Sequence, residues 1–234
     1  MVTALCIAGL AGLLRGFAGF GYAVMVVLGL NLLLPAQQAL ATAILLDLAC
    51  CVGLLPQAMA HCHRPLLGRL LLGMLLALPL GIWAVNWLPA SAMSLLVGAL
   101  SLVGGLLLLF QVPLRPLARR FAVGAGIASG LAMTTASAGG PPLMVYLLNQ
   151  PIAASAQRAT AILFFALCSA ATLVGLALSG LLDRQVLTLG AWMLIPSLLG
   201  NQIGQSLFRR YPGLDYRRGV APLLILMSLW VMLK

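Results

Sequence analysis

TTASAGGPPLMVYL, residues 134–147, lies in the middle of a chain whose other segments are apolar enough to live in a membrane. Adjacent glycines loosen a helical backbone, and adjacent prolines remove two N–H donors from its hydrogen-bond ladder. The stretch therefore interrupts a helix. What keeps such an interruption inside a membrane protein is the question that decides the fold.

Composition sets the class. The 234 residues are 63% hydrophobic and only 7% charged, with a mean hydropathy of +1.13, whereas an average soluble domain is about 25% charged. Apolar stretches long enough to cross about 30 Å of hydrocarbon recur along the whole chain. The expectation is an all-α integral membrane protein. Barrel strands would alternate over about 10 residues, and residues 95–110 are apolar on every side. The net charge of +10 comes from 12 Arg and one Lys against three Asp and no Glu. These cations sit in short loops between apolar runs, the pattern that orients a membrane protein, so no nucleic-acid partner is expected. Cys6, Cys50, Cys51, Cys62 and Cys168 fall mostly within apolar runs and read as small hydrophobes, with no disulfide framework. A basic signal-peptide start is not met, since the first Arg is Arg15.

The chain repeats itself. A shift of 118 residues lays ATAIL at 41–45 on ATAIL at 159–163, Gly12 on Gly130, Gly21 on Gly139, Leu30-Asn31 on Leu148-Asn149 and Cys50 on Cys168. Pro79 resembles Pro196 after a one-residue drift. Two membrane repeats are expected, 1–111 and 121–234, joined by a basic cytoplasmic linker at 112–120. The apolar runs are 1–34, 39–60, 66–88 and 93–111, then 121–149, 159–182, 186–208 and 220–233.

The opening run of each half is too long for one crossing and is interrupted, by RGFAGFG at 15–21 and by TTASAGG at 134–140. Each is either a broken helix that crosses or a re-entrant hairpin. Charge separates the two. If all eight runs cross, the basic residues divide evenly. If the interrupted runs are hairpins, Arg64, Arg69, Arg115, Arg119, Arg120, Arg158, Arg209, Arg210, Arg217 and Arg218 fall on one side and only Arg184 and Lys234 on the other. The hairpin arrangement obeys the positive-inside rule, inverts the two halves and puts both termini outside the cytoplasm.

Inverted repeats with interrupted helices are the architecture of secondary transporters, whose half-helix ends meet near the bilayer midplane. In the second interruption, Thr134, Thr135 and Ser137 offer hydroxyls and Gly139 and Gly140 let backbone N–H groups approach a ligand. Pro141 suits the first turn of a new helix whose positive dipole end faces an anion. The facing interruption offers Gly16, Gly19, Gly21 and the cation Arg15. Leucine at Gly139 or Gly140 is expected to abolish transport in a folded protein. Arg15 either touches the ligand or pairs structurally with Asp47. Asn201, Gln202 and Gln205 either line the path or bond neighbouring helices.

The paired glycine-rich interruptions, each about 20 residues before an ATAIL segment, and GLAMTTASAGGPPLMVYLLNQ at 130–150 resemble the TauE/SafE membrane family. The resemblance covers nearly the whole chain, and its two glycine-rich tips correspond to 15–21 and 134–142, the first carrying Phe17, Phe20 and Tyr22 where members are richer in glycine. It implies export of sulfite or an organosulfonate across a bacterial cytoplasmic membrane, without a cofactor; a homodimer is left open.

An enzyme would need a nucleophile, base or metal set, and three Asp, no Glu and two loop histidines supply almost none within the bilayer. Three neighbours, His61, Cys62 and His63, do not close a tetrahedral metal site. A metal or other cation permease is the alternative, with Asp47 as its one intramembrane carboxylate. A monovalent anion leaving a negative interior gains about 2.3 kcal/mol per 100 mV. Potential-driven export, with Asp47 orienting Arg15, is therefore the expectation.

Overall fold

The computed structural model describes residues 2–110 and 121–210, together with residues 225, 226 and 229. The linker 112–120 and most of the final run 220–233 lie outside the described residues, with Arg115, Arg119, Arg120, Asp215, Arg217, Arg218 and Lys234. Among the described residues the chain is all-helical: α1 (Val2–Ala18), α2 (Tyr22–Asn31), α3 (Ala36–Val52), α4 (Leu55–His61), α5 (Arg64–Trp87), α6 (Ala90–Phe110), α7 (Ala122–Ala136), α8 (Gly140–Leu148), α9 (Ala154–Leu178) and α10 (Arg184–Arg210).

Helices α5, α9 and α10 are long and apolar enough to cross a membrane; the 24 residues of α5 span about 36 Å at 1.5 Å per residue. The run at 39–60 differs from the straight crossing the sequence suggests. It becomes α3 and α4, bent by 69°, because Pro56 at the start of α4 has no N–H to continue the ladder and its ring would strike the carbonyl four residues back. Pro79 and Pro196 sit within α5 and α10 without ending them.

Both interruptions are narrower than the sequence suggests. Arg15 to Ala18 remain helical, and the first break is confined to residues 19–21, where Gly19 (φ 81°) and Gly21 (φ 91°) adopt the left-handed conformation open to glycine. Thr134 and Thr135 also remain helical, and each spends its hydroxyl proton on the carbonyl one turn earlier. α7 ends where Ser137 turns left-handed at φ 54°. There the Ser137 amide closes on the Met133 carbonyl in a left-handed C-cap, and the Ala138 amide reaches the Ala132 carbonyl.

At each break the chain doubles back. A side chain added at Gly29 on α2 would strike Ile7 on α1 at 2.8 Å, which a continuous helix would hold about 33 Å away. On the second, the Gly139 carbonyl accepts from Ser129 Oγ, two turns up α7. Both are hairpins rather than broken crossing helices.

The register of the long helices gives the hairpins opposite directions. The backbone N–H of His63 bonds Thr160 Oγ1 and Asn86 Nδ2 bonds Ser179 Oγ, so α5 and α9 run side by side from a common end. Arg158 lies 4.3 Å over the Phe208 ring, which brings the finish of α10 to that end. Arg64, Arg69, Arg158, Arg209 and Arg210 gather there, while Arg184 begins α10 at the other end. α1 follows α10, with Gly12 on Ser197 and Gly16 on Asn201, and so advances toward the basic end. α7 follows α5, with Gly126 on Leu70, Gly130 on Met74 and Thr134 on Gly81, and advances away from it.

These pairings are close because small residues recur every fourth position: Gly12 and Gly16, Gly200 and Gly204, Gly126 and Gly130. At Gly126 a β-carbon would collide with the Leu70 carbonyl, whereas at exposed Gly124, half a turn away, it meets nothing within 4 Å. Gly126→Leu is expected to cost more than about 3 kcal/mol and to destroy a monodisperse detergent peak that Gly124→Leu leaves unchanged. Outward-facing Leu76, Leu80, Trp83 and Trp87 on α5 and Trp192, Ile195, Leu199 and Ile203 on α10 remain exposed. Faces this apolar are what lipid covers.

Candidate functional site

Arg15, in the last turn of α1, is 1% exposed. Its Nη1 lies 2.9 Å from Asp47 Oδ1 on α3, a charge contact outside good hydrogen-bond alignment. Nη2 donates to Cys51 Sγ, and the guanidinium carbon stands 5.6 Å from the centroid of the Phe165 ring on α9. Nε has no partner. The other carboxylate oxygen of Asp47 accepts from Ser169 Oγ at 2.8 Å. An arginine buried to this degree needs a counter-charge, because removing an ion from water costs several kcal/mol. Asp47, fully buried, supplies it. Phe165, Cys168 and Ser169 occupy the middle of the 25-residue α9, so the ion pair sits at mid-depth.

The cluster extends across α2 and α10. Ser197 Oγ donates to Met193 O, so Tyr22 OH, 2.6 Å away, donates to Ser197. Asn201 Nδ2 donates to the Cys50 carbonyl at 3.1 Å, leaving its Oδ1 without a partner. Asn201 thus belongs to the cluster. Gln202 is exposed on α10, and Gln205 is half-buried with its backbone against Gly16.

The second tip differs chemically from the first. Thr134 and Thr135 have given their protons to Gly130 O and Leu131 O, and Thr134 also meets Thr172 Oγ1 at 3.4 Å. Ser137 Oγ, 3% exposed, has no partner. α8 begins at Gly140, one residue before the expected Pro141, and Pro141 and Pro142 remove two of the four amides a helix N-terminus offers. At the first tip, Tyr22, Ala23 and Val24 open α2 with no carbonyl of their own helix to meet, since the ladder starts with Met25 N–H on Gly21 O. The amide-rich helix end belongs to the first tip.

The glycines do separate jobs. A β-carbon at Gly16 would run into the Asn201 carbonyl, so this glycine serves helix packing; at Gly139 it would approach Ser129 O at 2.6 Å and Met133 Cβ at 2.8 Å, so this one closes the second hairpin. Leucine at Gly139 therefore disrupts the hairpin itself. Gly140 lies under the Phe20 ring, 3.0 Å from where its β-carbon would stand, and this contact joins the two tips. Gly21 faces open space, with nothing within 4 Å.

One residue enters the site without a sequence expectation. Arg158, near the start of α9, donates from Nη2 to the Gly16 carbonyl at 3.0 Å and lies along Gly19. A cation there meets the negative end of the α1 dipole. His61 and His63 are engaged locally, His61 Nδ1 with Gln57 O and His63 Nδ1 with the Leu66 amide at the start of α5.

The site thus consists of two hairpin tips in contact and a buried ion pair whose arginine lies four residues before the first break. The comparison with curated proteins finds no match, and neither does that with solved structures. The sulfite exporter TauE/SafE family matches residues 4–231. With nearly its whole length matched, this multi-pass membrane chain belongs to the TauE/SafE family, whose members are transporters and not enzymes.

Proposed function

We propose that this protein exports a small anion, sulfite or an organosulfonate, across a bacterial cytoplasmic membrane, and that the anion is held where the two tips meet. The observation that carries the reading is the contact of Phe20 with Gly140, which joins the tip that follows the buried Arg15 in α1 to the tip before α8. The open space at Gly21 lies before the amides of Tyr22, Ala23 and Val24, a helix end suited to negative charge. Ser137 Oγ is a buried hydroxyl with its donor unspent. The cation reading loses its anchor, since Asp47 is engaged by Arg15 and Ser169.

Hairpins that advance in opposite directions support two inverted repeats over 1–111 and 121–234, with alternating access arising as one moves against the other. The arginines gathered at one end of the bundle support a cytoplasmic face there and an outside location for Met1.

Proteoliposomes loaded with sulfite test the function. Protein-dependent efflux of sulfite, with no flux of divalent metal ions or potassium, is the expected result; metal flux without sulfite flux would reverse the assignment. Ser137→Gly separates hydroxyl from backbone. Glycine removes a left-handed strain of about 1–2 kcal/mol, so the variant is expected to be at least as stable as the parent. It should bind sulfite several-fold more weakly, for want of one buried hydrogen bond of about 1 kcal/mol. Unchanged affinity would remove Ser137 from the site.

A further inference from the structure

The Arg15–Asp47 pair holds one positive and one negative charge at mid-depth, with Asp47 fully buried. As it stands, the pair has no net charge to offer an anion. If an anion entered beside it with nothing else changed, the buried cluster would carry one uncompensated negative charge, which an apolar interior strongly disfavours. Arg158, the other cation at the tips, is engaged by the Gly16 carbonyl and the Phe208 ring, which leaves the cluster one way to stay neutral. Arg15 turns its guanidinium to the anion, and Asp47, deprived of its counter-charge, takes up a proton from water.

The surroundings leave that role to Asp47. The groups that face it are Arg15 on α1, Tyr22 on α2, Cys50 and Cys51 on its own α3, and Cys168 beside Ser169 on α9. The phenol and the thiols are neutral near pH 7. α6 carries no titratable residue, and α10 brings the neutral Ser197 and Asn201 to the cluster. Ser169 Oγ already donates to Asp47 Oδ2; when that carboxyl is protonated, Oδ1, the oxygen Arg15 leaves, carries the proton and Ser169 keeps its bond. Arg15 has a donor to spare in Nε, which has no partner in the paired state.

Resting on the reading of this site as an anion site, we propose that the protein is a proton–anion cotransporter: one proton on Asp47 accompanies each monovalent anion on Arg15, and the loaded cycle moves no net charge. This replaces the potential-driven export expected from the charge inventory alone. The proton is taken from water on the side where the anion binds and returned to water where the anion leaves, as Asp47 recovers Arg15. Lower pH on the anion's side therefore favours loading, and export by this route is driven by the anion's own outward concentration gradient.

The test reconstitutes the full-length protein in liposomes with sulfite as the probe, at an equal pH on both sides low enough that it is mainly monovalent hydrogensulfite, subtracting protein-free vesicles. A potassium diffusion potential of about 100 mV would distribute an uncoupled monovalent anion about 50-fold, the field energy converted at 1.36 kcal/mol per decade. Cotransport predicts a shift below about two-fold and no sustained current when sulfite is added. In Asp47→Asn the cluster keeps the Arg15 charge without a protonatable partner, so sulfite should move alone, carrying current and following the potential toward about 50-fold. If that variant does not fold, the wild-type current decides by itself. Wild-type sulfite flux that carries current and follows the potential overturns the coupling and spares the anion reading. No protein-dependent sulfite movement at all overturns the anion reading and the coupling with it.

Discussion

Arg15→Gln is expected to lower the stability of the detergent-solubilised protein by about 3–5 kcal/mol, the cost of leaving a buried carboxylate without its partner. The geometry makes this loss large. Asp47 is fully buried, and among the described residues its one remaining polar contact would be Ser169 Oγ. Arg15→Gln combined with Asp47→Asn removes both charges at once and should recover most of the stability, since two neutral amides occupy the same space. The double variant should nevertheless bind no sulfite, because the cation is gone. Tryptophan-fluorescence melts and sulfite binding on the same three samples separate the two roles. Equal stability of the single and double variants would mean that the pair is not coupled in the folded state.

Gly140→Leu should abolish sulfite flux in a protein that still folds. The leucine side chain must go where the Phe20 ring stands, 3.0 Å from the position of its β-carbon. That ring belongs to the opposite tip rather than to a packed backbone, so the collision falls on the contact between the tips. Phe20→Ala in the Gly140→Leu background vacates the ring and should restore part of the flux. Gly139→Leu behaves differently: its β-carbon meets Ser129 O and Met133, and the expected result is loss of folded protein, which size-exclusion profiles distinguish from a folded but silent carrier.

Much of this was legible in the residues. Left-handed glycines at 19 and 21, and the Gly-Gly-Pro-Pro run at 139–142, mark both breaks, and the hairpin arrangement follows from where the arginines lie. Helix limits were harder, since Thr134 and Thr135 look like loop residues until their hydroxyls are seen to bond back into α7. Gly16 reads as a ligand cradle, yet its four-residue spacing from Gly12 is a packing signature and it is used that way against α10. Arg158 passes for a loop cation. Its signal was its place directly before the second ATAIL, where the first half has Leu40, a charge put into one copy of an otherwise shared segment. The bend at Pro56 was not read from the sequence, and a proline alone does not mark one, since Pro79 and Pro196 lie within α5 and α10 without ending them. That the two tips face each other was an expectation of the repeat, which lays Gly21 on Gly139; that Phe20 and Gly140 are residues in contact there had no signal in the sequence.

The central claim is that one anion sits where the two tips meet. Equilibrium binding of radiolabelled sulfite to the purified wild-type protein, to Ser137→Gly and to Gly140→Leu tests it most directly. The account predicts saturable binding in the wild type, several-fold weaker binding in Ser137→Gly and none in folded Gly140→Leu. Wild-type affinity in both variants would contradict it, because the anion would then be held somewhere other than between the tips.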